Sequence, residues 1–195
     1  LKLTARENLL FFASFYPKTN LNGLDTLFET FDLADAADKR VGEFSKGMKM
    51  RLNFIRAIMH DPDILFLDEP TSGLDPINAR RIKQHIIKLK NEGKTIFITT
   101  HDMATADEIC DRVSFIADGQ IRLTENPSVL KNEHGKHTVK VDLQNGQSAE
   151  FSIRELGMNP KFLEFIASSE ILRINSQEAT LEDVFIKVTG ARLSE

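Results

Sequence analysis

The chain carries a single cysteine, Cys110, among 195 residues. One thiol closes no internal disulfide, which fits a reducing compartment. Long apolar runs are missing too. The longest, such as Ile64–Leu67 and Ile96–Ile98, fall far short of a membrane span. No secretory leader is legible where Lys2, Arg6 and Glu7 interrupt the start. Positive charge is not in excess. The 25 Lys and Arg stand against 29 Asp and Glu, for a formal −4, which provides no basic surface for a polyphosphate and argues against a general nucleic-acid binder. No internal repeat or low-complexity tract interrupts the chain. Hydrophobic residues make up 41%, enough for a packed core and too many for a disordered chain. The chain does not begin with Met and opens on an amphipathic run, so a fragment is expected.

The first 60 residues read as helical. Thr4 with Glu7 three residues on forms a capping box, and Leu9, Leu10, Phe12 and Ala13 supply an apolar stripe. Phe11, Phe12, Phe15 and Tyr16 are expected in the core, with a groove wall that receives a partner's helix as the minority reading for some of them. After a turn at Pro17–Gly23, Leu24, Leu27, Phe28 and Phe31 recur at helical spacing. Ser45 starts a third helix, with Leu52, Ile55 and Met59 inward, that stops at His60-Asp61-Pro62. The pattern then changes. Ile64–Leu67 predicts a strand buried on both faces, residues 77–91 an amphipathic helix, and Thr95–Thr100 a second buried strand. A short helix over 103–110 follows, then a hairpin of Val113–Ala117 and Gln120–Leu123 about Asp118-Gly119. The strand–helix–strand order implies an α/β fold with a mostly parallel sheet. From about His134, two strands around Asn145-Gly146, a helix over 160–168, an extended stretch over 170–174 and a helix over 180–189 predict a small α+β extension.

The chemistry is concentrated at Ile64-Leu-Phe-Leu-Asp68-Glu69-Pro-Thr-Ser72-Gly73-Leu74-Asp75. A strand ending in two carboxylates delivers them to the carboxyl edge of a sheet, where α/β ligands bind. Asp68 suits a magnesium ion held through water. Glu69 suits the orientation or deprotonation of a water attacking a γ-phosphate. Upstream, Phe44-Ser45-Lys46-Gly47-Met48 opens a helix whose amides and dipole favour an anion. Downstream, the second strand brings His101 to the same edge, where it can donate to a phosphate or hold the water. Singly each is ordinary: solvent-facing carboxylates, a cap serine, a structural histidine. In this order and spacing they form a constellation.

These residues resemble the ATP-binding cassette (ABC) ATPase family over roughly residues 1–130. Ser45–Met48 resembles the signature motif, usually Leu-Ser-Gly-Gly-Gln; Ile64–Glu69 resembles Walker B with the catalytic glutamate; Ser72–Asp75 resembles the D-loop; His101 resembles the switch histidine. The resemblance implies Glu69 and His101 in catalysis and Asp68 at Mg²⁺. It places Ser45, Lys46, Gly47 and Met48 on the ATP of a partner cassette, and Ser72 and Asp75 at the dimer interface. It further implies a homo- or heterodimer of cassettes and a separate transmembrane permease, with the protein cytoplasmic and peripheral on the inner face of the membrane. Lys46 stands where the family has glycine and Met48 where it has glutamine. Similar Ser-Lys-Gly-Met signatures occur in bacterial exporter ATPases. The segment from Thr180 to Gly190 resembles the end of cassettes from drug, peptide or polysaccharide exporters.

The phosphate cradle G-x-x-x-x-G-K-[ST] is absent from the sequence. Gly93-Lys94-Thr95 comes nearest, but position 88 is Lys and the tripeptide precedes a strand, so it reads as a helix-ending glycine and a solvated lysine. Residues 1–9 resemble the segment that follows the Q-loop. The expected organisation is a truncated P-loop NTPase, inactive alone: a helical subdomain with the signature over 1–62, a partial ATPase core over 63–133, and the α+β extension over 134–195. The alternatives are a non-transport ABC ATPase and a half-cassette with a binding or regulatory role.

Overall fold

Thr4 starts the first helix as expected. In the computed structural model its hydroxyl accepts from the Glu7 amide at 3.2 Å, and Glu7 reaches back to the Thr4 amide at 2.8 Å. Residues 2–16, 21–134, 137–177 and 179–190 are described. Pro17–Asn20, most of the expected turn, lie outside them. The chain divides into two compact units, Leu1–His101 and Asp102–Glu195.

In the first unit, α1 (Ala5–Ala13) buries Leu9 and Ala13, and α2 (Leu24–Thr30) buries Leu24 and Phe28. Helix α3 (Lys46–Ile58) buries Leu52, Ile55 and Ile58, positions three or four apart on one face. Strand β1 (Ile64–Asp68), helix α4 (Pro76–Asn91) and strand β2 (Thr95–Thr99) form a strand–helix–strand unit. The two strands are parallel and in register from Ile64↔Thr95 to Asp68↔Thr99. Helix α4 buries Ile82 and Ile86 completely.

Two expectations are corrected here. The β1–β2 pair is not buried on both faces. Leu65 and Leu67 are buried, whereas Ile64, Phe66 and Phe97 are 58%, 74% and 59% exposed. Side chains two apart share a face, and among the described residues one face of this pair is left uncovered. Nor do Phe11, Phe15 and Tyr16 belong to the core; they are 53%, 64% and 43% exposed. Phe11 lies on the exposed side of α1, and Phe15 and Tyr16 follow its end; Phe11 and Phe15 meet edge to face at 5.2 Å beside the half-buried Phe12.

In the second unit, α5 (Met103–Ile109) precedes the hairpin of β3 (Val113–Ala117) and β4 (Gln120–Glu125). Both central turn residues, Asp118 and Gly119, have positive φ, the backbone twist that suits a tight hairpin. Helix α6 (Pro127–His134) was not read from the sequence. Its signal was present, because Asn126 accepts from the Ser128 amide at 2.8 Å and Pro127 opens the first turn. Strands β5 (Thr138–Leu143), β6 (Ser148–Ser152) and β7 (Ile171–Gln177) make an antiparallel sheet in the order β6-β5-β7. Parallel pairing is therefore confined, among the described residues, to β1–β2. Helix α7 (Pro160–Ala167) lays Phe162 and Phe165 on Phe151, with ring centroids 5.3 and 5.5 Å away. The last helix, α8 (Leu181–Thr189), opens on a Thr180–Asp183 capping box. Its Leu181 and Val184 share one core with Ala106, Val113, Phe115 and Leu130.

Candidate active site

Asp68 is the last residue of β1 and lies opposite Thr99 of β2, whose hydroxyl donates to Asp68 Oδ1. The strand does not run on. Glu69 takes φ +46°, a left-handed conformation that costs a non-glycine residue about 1–2 kcal/mol. Its amide still donates to the Thr99 carbonyl at 2.9 Å, so the backbone is anchored while the side chain turns away from the ladder. That side chain meets the residues just past β2. Glu69 Oε1 accepts from the His101 amide at 2.9 Å and lies 2.7 Å from His101 Nδ1, and Oε2 accepts from the Thr100 hydroxyl at 3.2 Å. An ionised carboxylate only accepts, so it selects the imidazole with a proton on Nδ1. The Glu69 side chain is 32% exposed and that of His101 83%, so the imidazole is the solvent-facing member.

Asp68, Glu69 and His101 are thus gathered at one sheet edge. The hydroxyls of Thr99 and Thr100 join them. Sequence reasoning missed these two because threonine at a strand end also satisfies β-propensity. Among the described residues no group of three or more His, Cys, Asp and Glu is close enough to hold a metal ion. A single strand-end carboxylate with hydroxyl neighbours still fits Mg²⁺, a hard cation that takes one or two protein carboxylates and keeps several waters.

The signature-like residues sit at the start of α3. Ser45 Oγ accepts from the Met48 amide at 3.2 Å, a regular N-cap. The loop after Glu69 turns back through the Ser72 amide, which donates to the Glu69 carbonyl at 3.1 Å. Gly73 takes φ +70° and lies against α3, where an added Cβ would meet Lys46 Cε and Nζ at 3.3 Å. A Cβ on Gly47 would meet Leu74 Cδ2 at 3.5 Å. Lys46 and Gly47 are therefore brought beside the loop that carries Ser72 and Asp75. Asp75 caps α4. Its Oδ1 accepts from the Ile77 and Asn78 amides, both at 3.1 Å, and its Oδ2 from Asn78 Nδ2 at 2.6 Å. The bond from the Asn78 side chain, then that from its backbone, holds the carboxyl below the usual range.

Two cations outside this edge find partners. Gly93 ends α4 with φ +89°, and Lys94 is half-buried; it pairs with Asp61 at 2.7 Å, and that hydrogen bond raises its pKa. Arg81 of α4 reaches Asp32 at 3.5 Å.

The architecture is that of a P-loop NTPase, with strand-end carboxylates at the sheet edge where that fold places its ligand. An ABC transporter family model matches residues 2–72. The chain is 48% identical to a fluoroquinolones export ATP-binding protein of Mycobacterium tuberculosis, over 99% of this chain and 65% of that protein. It is 34% identical to the Nod factor export ATP-binding protein I of Burkholderia lata, over 98% of this chain and 69% of the relative. Identity to the bacitracin transport ATP-binding protein of Bacillus licheniformis is 33%, over 96% and 69%. A solved ATP binding subunit of an ABC transporter superposes with a TM-score of 0.62 at 27% identity, over 67% of this chain and 56% of the other. The chain belongs to the ABC transporter family. It spans 65% of the length of the mycobacterial relative.

Proposed function

We propose that these residues belong to the ATP-binding and ATP-hydrolysing subunit of an ABC exporter. The observation that carries this reading is the Glu69–His101 pair, set one residue past Asp68 at the carboxyl end of β1 and β2. Glu69 orients the attacking water and accepts its proton. His101, through its ring and amide, holds the carboxylate in position, and its outward Nε2 donates to the γ-phosphate when the ring carries a proton on both nitrogens. Asp68 would hold Mg²⁺ through water, and the bound ion supplies charge neutralisation on the β- and γ-phosphates. Ser45, Lys46, Gly47 and Met48 meet the γ-phosphate of ATP bound to a second cassette, identical or not, and Ser72 and Asp75 line the contact between the two.

The exposed Phe11, Phe15 and Tyr16 suit an apolar wall that receives a cytoplasmic helix of a separate permease. No described helix is long and apolar enough to cross a membrane, which fits a subunit held at the inner face by that permease. The export and transport roles in the relatives' names support a drug, peptide or polysaccharide cargo. In organisation, 1–62 serves as the helical subdomain, 63–133 as part of the ATPase core, and 134–195 as an extension for assembly or regulation.

The test is Mg²⁺-dependent ATP turnover by the full-length protein, alone and with its permease, beside Glu69→Gln. Turnover that the substitution abolishes is the expected result. A full-length protein that folds, binds no ATP and turns none over overturns the reading.

A further inference from the structure

We propose that Arg51 and Asn78 are positioning residues that lock the loop of residues 72–75 to helix α3, so that the signature turn and the D-loop form one body; this rests on the function proposed above. Arg51 lies in the second turn of α3, four residues after Gly47 and on the same helix face. It is 8% exposed, a costly place for a guanidinium without partners. The two hydrogens of its Nη1 are shared among four acceptors: the Phe31 carbonyl at 2.8 Å, the Asp32 carbonyl at 3.0 Å, and Asp32 Oδ2 and Asn78 Oδ1, both at 3.2 Å. Asp32 presents this double acceptor from a left-handed backbone, φ +54°, just past α2.

The Asn78 amide is the joint of the relay. Its oxygen faces Arg51 and, at 3.4 Å, Arg81, while its nitrogen donates to Asp75 Oδ2 at 2.6 Å. The opposite orientation would turn an NH₂ group on two guanidinium groups and an oxygen on a carboxylate, so the cations fix which way it points. Asp75, held from that side, closes the loop onto the first turn of α4. On the other side, Gly73 lies beneath Lys46 and Leu74 beneath Gly47. The four-residue loop is thereby tied to α3 at two places: directly at its first turn, and through Arg51 and Asn78 one turn on. In the proposed reaction, the residues that greet the partner's γ-phosphate and those that face the partner subunit move together.

The test uses the full-length protein with Asn78→Asp and, separately, Arg51→Met. Asn78→Asp keeps the size of the side chain, keeps an acceptor for Arg51 and adds an acidic group that a helix N-terminus tolerates. It cannot donate to Asp75. We expect the Asp75 carboxyl, followed by NMR, to titrate higher than in the parent. The Gly47 and Gly73 amides should exchange with solvent about tenfold faster, the loss of one charge-assisted hydrogen bond. In turnover, kcat should fall about tenfold with KM for ATP held within about twofold, since the loss falls on assembly of the site rather than on first binding. Arg51→Met should move both glycine amides in the same direction if it folds; Asn78→Asp decides the matter if it does not. An Asp75 shift with unchanged exchange at Gly47 and Gly73 overturns the proposal, as does an unmoved Asp75. An unsubstituted protein without ATP turnover fails the function reading instead, and the exchange measurement still decides the relay.

Discussion

Glu69 Oε1 lies within hydrogen-bond distance of two nitrogens of His101, the amide at 2.9 Å and ring Nδ1 at 2.7 Å. The two residues are 32 apart in sequence and meet because β1 and β2 are parallel neighbours in register, so that each strand ends at the same edge. One carboxylate oxygen is occupied twice, and the other, Oε2, accepts from the Thr100 hydroxyl.

Glu69→Gln should lower kcat of the full-length protein by about 10²–10⁴-fold, the range lost with a general base. The amide fills the same volume but cannot accept the water's proton, so ATP binding should persist and an ATP-bound dimer should accumulate on gel filtration. His101→Ala should lower kcat as well while leaving nucleotide affinity near the parent value. Near-parent turnover by the Gln variant would assign the base to another residue.

Ser45→Arg should block closure of two cassettes. Ser45 is an exposed N-cap whose hydroxyl accepts from the Met48 amide and whose carbonyl accepts from the Lys49 amide at 3.0 Å. The fold should lose no more than the ordinary ~0.5–2 kcal/mol for a missing cap. ATP-dependent dimerisation, followed by light scattering in the Glu69→Gln background, should disappear. Dimers at parent affinity would remove the signature role from residues 45–48.

His85 should make the first unit acid-sensitive. It sits edge-on between Phe31 and Phe54, with centroids 5.1 and 5.9 Å away. Burial, and then the nearby Lys88, lower its pKa below 6.5. The unfolded chain therefore takes up the proton first. This contribution to stability is complete above the unfolded value and declines as pH falls from there through the folded value. Urea unfolding between pH 8 and 5 should show a shallower loss of stability in His85→Gln than in the parent. Equal slopes would remove His85 from the acid response.

Leu181→Ala should destabilise the second unit by about 2–5 kcal/mol, the cost of a buried cavity of that size. Leu181 is 1% exposed and packs with Phe115 and Leu130 through the core that α8 shares with α5, α6 and the hairpin. Ordering of residues 102–134, measured by hydrogen exchange, should fall with it. A hairpin as protected as in the parent would make α8 an independent appendage.

Exposed aromatics at the end of α1 should behave differently. Phe15→Ser, at a residue 64% exposed, should change stability by no more than about 0.5 kcal/mol. Co-purification with the permease should weaken. Unchanged association would leave this patch without a role in docking.

The linear sequence determined the local elements and the order of the chemical groups. The Thr4–Glu7 capping box, the Ser45 cap, the Asp118-Gly119 hairpin and the strand ending in Asp68-Glu69 are all short-range patterns, in which a residue's conformation follows from its neighbours within a few positions. The sequence also brought His101 to the right edge, since a strand–helix–strand unit leaves little choice of register once both strands are recognised. Tertiary structure alone decided which groups touch. Arg51 and Asn78 are unremarked helix residues until α2, α3 and α4 are packed, and the orientation of the Asn78 amide follows from two guanidinium groups that arrive from different elements. The same holds for exposure. Phe66 and Phe97 read as core in sequence, because an apolar run gives a residue's hydrophobicity and not its cover, and Lys94 reads as a solvent-facing lysine until Asp61 is folded against it. Burial and long-range hydrogen bonds depend on what the rest of the chain places nearby, and that is fixed only when the elements pack.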